Sequence, residues 1–288
     1  MGLIAVTLFG FTLPMTHLAV TELDPVIVGL GRALLASFVA ALILWINKDA
    51  GLKPNEVVPL LIVALCISIP FPLLTACAMR TLPASHGAIV IGLLPVSTSI
   101  WIGLMKHEKP SVFFWLASIL GAVTVVGISI IKSGGVIQSA DLLLLLTVVC
   151  GGLGYASGAV LAKKMGGMRV MSWALVYAMP VLALGVILHA GQVAWMKVSW
   201  NVWIAFIYLS LISQYFGMAI WYKALSLGSV VRVSQVQLIQ PFITLTAAAV
   251  FFKERIDLLT GAAAFIVLCC IQLSRMTFVE IKHQKNSL

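Results

Sequence analysis

One apolar stretch with a proline near its middle occurs twice, and it constrains the fold more than any other feature. Residues 83–109 read PASHGAIVIGLLPVSTSIWIGLMKHEK, and residues 229–255 read SVVRVSQVQLIQPFITLTAAAVFFKER. A shift of 146 positions pairs Pro95 with Pro241, Thr98 with Thr244 and Glu108 with Glu254. Because this shift is about half of the 288 residues, the chain is predicted to be an internal duplication.

The composition requires most of the chain to face lipid or its own interior. Hydrophobic residues make up 61% of the chain and charged residues only 9%, whereas soluble proteins have about 25% charged residues. A helical membrane span needs about 20 mostly apolar residues, and ten such spans are predicted. They lie at 2–20, 25–46, 57–78, 83–105, 110–131, 140–161, 169–189, 201–222, 229–252 and 257–275.

The placement of Lys and Arg predicts the orientation, because cytoplasmic loops of membrane proteins carry an excess of both. With the N-terminus in the cytoplasm, the opposite side holds only Arg80, Lys132, Lys197, Lys253 and Arg255. Both termini are therefore predicted to be cytoplasmic. The basic tail at 277–288 is predicted to lie against anionic lipid headgroups. The net charge of +9 thus needs no nucleic-acid partner to explain it.

Five spans per copy is an odd number, so the second copy must enter the membrane with the opposite orientation. The sequence predicts an all-α membrane protein with ten transmembrane helices in two inverted-topology five-helix repeats, at 1–133 and 140–276. Inverted repeats are typical of secondary transporters, whose substrate site lies between the repeats near the bilayer midplane. The chain has no nucleotide-binding loop, metal cluster or nucleophile motif, so no cofactor, metal or enzymatic activity is predicted.

The ninth span has the most polar residues. Ser234, Gln237, Pro241 and Thr244 share one helix face, and Gln235 and Gln240 flank it. Glutamines are costly against lipid, so this face is predicted to point inward, either as a wall of a substrate cavity or as a source of interhelical hydrogen bonds. Pro241 is predicted to free the carbonyl of Gln237, and Pro95 and Pro241 are candidate hinges.

The eighth and sixth spans contribute further candidates. Gln214 and Tyr215 lie near the middle of the eighth span and are predicted to line the cavity. Trp221 and Tyr222 lie at its cytoplasmic end, where an aromatic belt at the membrane surface is predicted. For Tyr155 of the sixth span, a role in lining the cavity and a role in helix packing are equally compatible with the sequence.

Two cation-capable side chains lie inside the first pair of spans. A charge at the middle of a span costs about 2.5–3.5 kcal/mol, so Arg32 needs a partner. It either binds an anionic group of a substrate or donates to carbonyls at a helix end. His17 follows Pro14 in the first span, where it is either a hydrogen-bonding residue or a proton or substrate ligand.

All acidic residues lie in loops or at the ends of spans. Many proton-coupled carriers use a carboxylate inside the membrane, so facilitated or weakly coupled movement is predicted. Any proton coupling would use His17, His86 or a glutamate at the end of a span. A multidrug efflux protein would favour an acidic residue for cationic drugs. A membrane-embedded enzyme would need a catalytic constellation at matched depth, and the sequence shows none. A non-transporting scaffold would leave the inverted repeat and the polar ninth span unexplained.

The chain resembles the drug/metabolite transporter superfamily, in its EamA-like branch of ten-span proteins with two homologous halves. The first half matches at LFGFTLPMTHLAV, DPVIVGLGRALLA and ASHGAIVIGLLPVSTSIWIGLMKHEKP, and the second at ISQYFGMAIWYKALSLGSVVRVSQVQLIQPFITLTAAAVFFKERI. The resemblance covers nearly the whole chain. Its most specific part is the proline-containing run that ends in Glu108 and again in Glu254.

This resemblance implies an inner (plasma) membrane carrier of small metabolites, often an exporter of amino acids or related compounds, that works by alternating access. It leaves the oligomeric state open, and a monomer is compatible with it. By position, it implies a central cavity lined by Thr12, Tyr155, Gln214, Gln237 and Gln240. Arg32 matches the family's arginine in the second span.

Overall fold

Among the residues described, every regular element is helical. The computed structural model describes residues 1–105, 138–191, 193–254 and 257–262, with separate short pieces between 116 and 131 and between 264 and 269. Within them, eight helical stretches are long and apolar enough to cross a membrane. They are the first to fourth spans, Gly2–Ala19, Ile27–Ile46, Pro54–Met79 and Ala84–Met105, and the sixth to ninth, Ser139–Met165, Gly167–Ala190, Trp200–Ser226 and Gln235–Phe252.

These eight stretches correspond to eight of the ten predicted spans. Most of the predicted fifth span at 110–131, about half of the predicted tenth span at 257–275 and the whole tail at 277–288 lie outside the described residues. The total of ten spans and the inverted relation between the halves therefore stay predictions.

Most of the described spans are interrupted near their middle. The α-helices are Gly2–Gly10, Thr12–Ala19, Arg32–Ile46, Pro54–Val63, Pro70–Met79, Ala84–Ile91, Leu94–Met105, Ser139–Met165, Gly167–Ala190, Trp200–Ile207, Met218–Ser226, Val230–Ser234 and Gln240–Phe252. Wider π-helical turns cover Ile27–Gly31, Ala64–Ser68 and Tyr208–Gly217, and tighter 3₁₀ turns cover Trp195–Lys197 and Gln235–Ile239.

Two of these interruptions recur at the shift that relates the two halves. The π-turns of the third span, Ala64–Ser68, fall within those of the eighth span, Tyr208–Gly217, when 146 positions are added. The break between Ile91 and Leu94 in the fourth span falls on the 3₁₀ turns of the ninth span, Gln235–Ile239. The duplication seen in the sequence therefore extends to local backbone geometry in these two pairs of spans.

The sixth span packs closely because glycines let neighbouring helices approach its backbone. A Cβ atom on Gly152 would lie 2.7 Å from the backbone carbonyl carbon of Ser97 in the fourth span. Gly154 faces Ile67 of the third span, and Gly158 lies beneath the ring of Tyr222 in the eighth span. The Tyr222 hydroxyl donates to the carbonyl oxygen of Gly154 at 3.1 Å.

Side chains join the two halves at both ends of the bundle. At the end that contains Asp49, this carboxylate accepts from Arg169 Nε at 2.6 Å and Nη2 at 3.0 Å. It also accepts from Trp173 Nε1 at 3.2 Å, while Arg169 donates to the carbonyl oxygen of Gly51. We call this end of the bundle the Asp49 end.

At the opposite end, which we call the Glu254 end, the closing glutamate of the second half binds the first half. Its two carboxylate oxygens accept from the backbone N–H groups of Ala84 and Ser85, both at 3.0 Å. These two N–H groups belong to the first turn of helix Ala84–Ile91, where a negative charge is favourable. Two further contacts join the halves here, His86 Nε2 to Asp141 Oδ1 at 2.7 Å and the Ser199 N–H to Glu22 Oε2 at 2.6 Å.

The substitution Gly152→Ala tests the close approach of the fourth and sixth spans. Its methyl group would collide with backbone, which cannot rotate away, so we expect a loss of about 1–3 kcal/mol or more. The thermal midpoint of the detergent-solubilised protein measures this loss. Gly191→Ala is the control, because a Cβ atom there meets nothing within 4 Å. Equal midpoints for the two variants would contradict the packing described.

The substitution Asp49→Asn tests the contact at the Asp49 end. The hydrogen bond from Arg169 is the main cause that holds the pKa of Asp49 below its ordinary value of 3.8. A depressed folded-state pKa contributes stability that is present above the unfolded pKa and is lost as the pH falls through the folded pKa. We therefore expect Asp49→Asn to lower the thermal midpoint at pH 7.

The pH dependence of the same variant provides the internal control. As the pH falls below about 4, the carboxylate of the unfolded chain becomes protonated before that of the folded protein, so the difference in thermal midpoint between wild type and Asp49→Asn should shrink. A difference that stayed constant from pH 7 to pH 3 would show that the ion pair with Arg169 does not stabilise this end.

Candidate functional site

A central cavity lies where both halves meet. Its volume is about 30 Å³, which is room for about one or two water molecules. The first half lines it with Phe9, Thr12, Leu13, Arg32, Ile67, Phe71, Thr75 and Ile91, and the second half with Tyr155, Ser213, Gln214, Met218 and Gln240. The first, second, third, fourth, sixth, eighth and ninth spans thus each contribute to its walls.

The interruptions in the spans lie at this cavity. Arg32 directly follows the π-turns at Ile27–Gly31, and Ile67 lies within those of the third span. Ser213 and Gln214 lie within the π-turns of the eighth span. A π-turn adds a residue to a helix and redirects the side chains that follow, and such turns are frequent at functional sites.

The break in the first span shows how a freed backbone group finds a partner. Pro14 has no N–H, so the carbonyl oxygen of Gly10 loses the donor that a regular helix would provide. The hydroxyl of Thr244, in the ninth span, donates to this oxygen at 2.8 Å. Thr12, the first residue after the break, thereby lies at the cavity wall.

The ninth span differs in one respect from the sequence prediction. The prediction that its three glutamines face inward is confirmed, because Gln235, Gln237 and Gln240 are all buried. The prediction that Pro241 leaves the carbonyl of Gln237 free is wrong. The chain tightens into 3₁₀ turns before the proline, and the N–H of Gln240 donates to that carbonyl.

Polar side chains cross the cavity wall between the halves. Thr12 and Ser213 form a hydroxyl–hydroxyl hydrogen bond of 2.8 Å between the first and eighth spans. Gln214 Nε2 donates to the carbonyl oxygen of Ile67 at 3.1 Å, which joins the eighth and third spans at their π-turns. These contacts fix the polar wall without using a charged group.

Arg32 is the charged residue on the described lining, and two of its donors lack a partner. Its side chain is only 1% exposed, and its Nε and Nη1 atoms have no hydrogen-bond partner among the described residues. The alternative that Arg32 donates to carbonyls at a helix end is therefore not supported for these two atoms. The guanidinium group contributes to the wall of the central cavity.

Aromatic rings form much of the remaining wall. Phe9 and Tyr155 both pack edge-on against Trp221, with ring centroids 6.2 Å and 5.9 Å apart, and Phe71 lies 6.4 Å from Tyr155. The prediction that Trp221 and Tyr222 belong to an interfacial belt is wrong, because both are fully buried. Their part of the eighth span packs on the glycines of the sixth span, which leaves neither ring at the surface.

Three of the predicted site residues lie beside the cavity and not on its lining. Tyr215 hydrogen-bonds through its hydroxyl to Ser172 Oγ at 2.7 Å. His17 Nδ1 contacts the carbonyl oxygen of Met79 at 2.8 Å. Gln237 Nε2 donates weakly to Gln240 Oε1 at 3.4 Å, and its own Oε1 has no partner among the described residues. The other five, Thr12, Arg32, Tyr155, Gln214 and Gln240, line the cavity.

Sequence reasoning missed several lining residues, notably Ser213, Phe71 and Thr75. A signal for Ser213 was present, because Ser210, Ser213, Gln214 and Gly217 recur at helical spacing and form a narrow polar stripe. Phe71 and Thr75 follow the π-turns of the third span, and no pattern in the sequence marks them.

The two candidate hinge prolines lie next to breaks that face each other. A Cβ atom on Gly92, in the break of the fourth span, would lie 3.3 Å from Cγ of Pro241 in the ninth span. Pro95 is the second residue of helix Leu94–Met105 in the fourth span. Pro241 is likewise the second residue of helix Gln240–Phe252 in the ninth span. Their role as hinges stays a prediction.

The chemistry of the described lining does not suit metal binding. No acidic residue and no histidine lies on it. The described residues contain no group of three or more His, Cys, Asp or Glu side chains that could hold a metal ion. The cavity offers one guanidinium group, neutral hydrogen-bonding groups and apolar rings.

Comparison with protein families gives a match in each half. The EamA-like transporter family matches residues 1–130 and 138–276. The two matched segments together cover most of the chain.

Comparisons with single proteins give matches over nearly the whole chain as well. The chain is 34% identical over 274 residues to the uncharacterized transporter YdeK of Bacillus subtilis (strain 168), and the alignment covers 95% of each protein. A crystal structure of a protein only 12% identical matches with a TM-score of 0.65, over 95% of this chain and 94% of that one. The second comparison shows a shared fold.

Proposed function

Because the chain belongs to the EamA-like transporter family of multi-pass membrane proteins, we propose that it exports small amphipathic solutes, amino acids foremost, by alternating access. The observation that carries this proposal is the central cavity, whose lining comes from both halves of the chain. A cavity at the interface of two repeats, built on interrupted helices, is where secondary transporters bind their substrates.

The walls of the cavity favour a solute with one polar and one apolar part. Arg32, Thr12, Ser213, Gln214 and Gln240 provide the polar groups. Phe9, Leu13, Ile67, Phe71, Ile91 and Met218 provide the apolar surface. A sugar would leave this apolar surface uncovered, whereas a larger amino acid would use both parts.

Binding requires the cavity to grow. A drug-sized ligand occupies a pocket of about 300 Å³ or more, whereas the cavity has a volume of about 30 Å³. Contacts between the halves at the Asp49 end and at the Glu254 end hold the walls together. In alternating access, the contacts at one end open while those at the other stay closed, and solute enters or leaves through the open end.

The lining argues against two other modes of transport. Efflux of cationic drugs would favour a carboxylate in the cavity, and none lies on the described lining. The same observation supports facilitated or weakly coupled movement, because no lining carboxylate is present to carry a proton. A proton-coupled mechanism would have to use His17, His86 or a glutamate at the end of a span, and both histidines lie outside the described lining.

The proposal places the protein in the plasma membrane with both termini in the cytoplasm, so that the Asp49 end faces the cytoplasm. It includes ten spans in two inverted repeats, at 1–133 and 140–276, and a basic tail at 277–288 against the lipid headgroups. One copy contains the whole cavity, so a monomer is sufficient for transport.

Counterflow in proteoliposomes tests this function. Vesicles are loaded with one unlabelled amino acid at a time, and a labelled tracer of the same amino acid is added outside, without a pH gradient. We expect the tracer to accumulate for larger apolar amino acids. Absence of accumulation for every amino acid, with correctly folded protein, would contradict amino-acid export.

The variant Gln240→Ala tests whether the cavity is the transport site. It removes one hydrogen-bonding group from the lining, so we expect the counterflow rate to fall about five- to tenfold with an unchanged thermal midpoint. The control is Asn201→Ala, which removes an exposed amide at the start of the eighth span. A counterflow rate in Gln240→Ala equal to that of wild type would show that transport does not depend on this cavity.

A further inference from the structure

We propose that Arg32 binds the carboxylate of the transported solute and thereby limits the carrier to solutes with a single negative group on an apolar body. This inference rests on the transport function proposed above and adds the class of substrate. Four observations carry it: the burial of Arg32, the absence of a counter-charge among the described residues, the number of charges on the described lining, and the apolar surroundings.

The guanidinium group is buried and incompletely bonded. Arg32 is 1% exposed, and its Nε and Nη1 donors have no partner among the described residues. Buried polar groups in proteins are almost always hydrogen-bonded, so exceptions require an explanation. Each of these two N–H donors can give a hydrogen bond to a carboxylate oxygen, and such charge-assisted hydrogen bonds are about twice as strong as neutral ones.

No described carboxylate neutralises Arg32, because each described acidic side chain binds a partner elsewhere. The pairs are Glu22 with Ser199, Asp24 with Val26, Asp49 with Arg169, Glu56 with Lys53, Asp141 with His86, Glu254 with Ala84 and Asp257 with Thr260. An uncompensated buried charge is strongly unfavourable. An anion that enters the cavity would bring the missing charge.

The number of charges selects among anions. Arg32 is the one cationic side chain on the described lining. A carboxylate carries one negative charge and balances it, whereas a phosphate monoester carries about −1.5 to −2 at pH 7 and would leave excess charge in a buried site. The site is therefore matched to a carboxylate, or to another anion with a single charge.

The side chains around Arg32 favour a solute whose remaining part is apolar. Phe9, Phe71, Tyr155 and Met218 share the cavity with it. An apolar body that displaces water from these side chains would gain about 25 cal/mol for each Å² that it buries. It would also lower the local polarity and strengthen the contact between the guanidinium and the carboxylate.

Equilibrium binding to the purified, full-length protein tests the proposal. The probes are phenylalanine and 3-phenylpropionate, which have a carboxylate, and 3-phenylpropionamide, which has the same shape without the charge. In wild type we expect each carboxylate to bind at least tenfold more tightly than the amide. In Arg32→Gln this ratio should fall to about one.

Two further variants separate recognition from folding. Arg32→Lys keeps the charge without the planar pair of donors, so it should retain part of the preference for carboxylates. Arg80→Gln removes an exposed arginine and should keep the full tenfold preference. The thermal midpoint of Arg32→Gln should equal or exceed that of wild type, because the substitution removes an unpaired buried charge.

Three results would overturn the proposal. They are equal binding of the carboxylates and the amide in wild type, an unchanged ratio in Arg32→Gln, and a preference that disappears equally in Arg80→Gln. Binding requires no translocation, so its outcome is independent of counterflow. Carboxylate binding that depends on Arg32 without counterflow would refute the transport function alone. Counterflow without a preference for carboxylates would refute this inference alone.

Discussion

The architecture depends on the requirement that every backbone polar group inside a membrane has a partner within the protein. An interrupted helix is tolerable only where neighbouring helices supply that partner. Pro14 removes the donor to the carbonyl of Gly10, and Thr244 from the other half of the chain replaces it. Before Pro241, a 3₁₀ turn closes on the carbonyl of Gln237. Most residues of these interruptions are buried, and the central cavity lies among them.

A cavity formed by interrupted helices can change volume with little cost to the regular helices around it. The long sixth span, Ser139–Met165, is continuous, and its glycines hold the third, fourth and eighth spans close. The contacts that join the halves at the ends are of a different kind, namely ion pairs and hydrogen bonds of Asp49 and Glu254. Such contacts can exchange their partners for water when an end opens. Close helix packing thus maintains the fold, and in the proposed alternating access the polar contacts at the ends would regulate entry to the cavity.

The sequence was sufficient to predict an all-helical membrane protein but not the details of the site. Apolar run lengths predicted the spans, and the prolines at a shift of 146 indicated breaks in the fourth and ninth spans. The π-turns at Tyr208–Gly217 were not predicted, because one extra residue in a helix leaves no mark in composition. Trp221 was wrongly assigned to the surface, because only the fold shows how closely the eighth span packs on the sixth. The sequence likewise does not show that two donors of Arg32 lack a partner, because this depends on where the other side chains lie in the folded protein.

Alternating access requires the cavity between the halves to open in turn to each side of the membrane. Reaction of Thr12→Cys with a membrane-impermeant maleimide, in a background without the five native cysteines, measures this opening. Thr12 lines the cavity and is buried. We expect labelling both in right-side-out and in inside-out vesicles, with slower labelling when a transported solute is added. Labelling from one side only, or none from either side, would contradict alternating access.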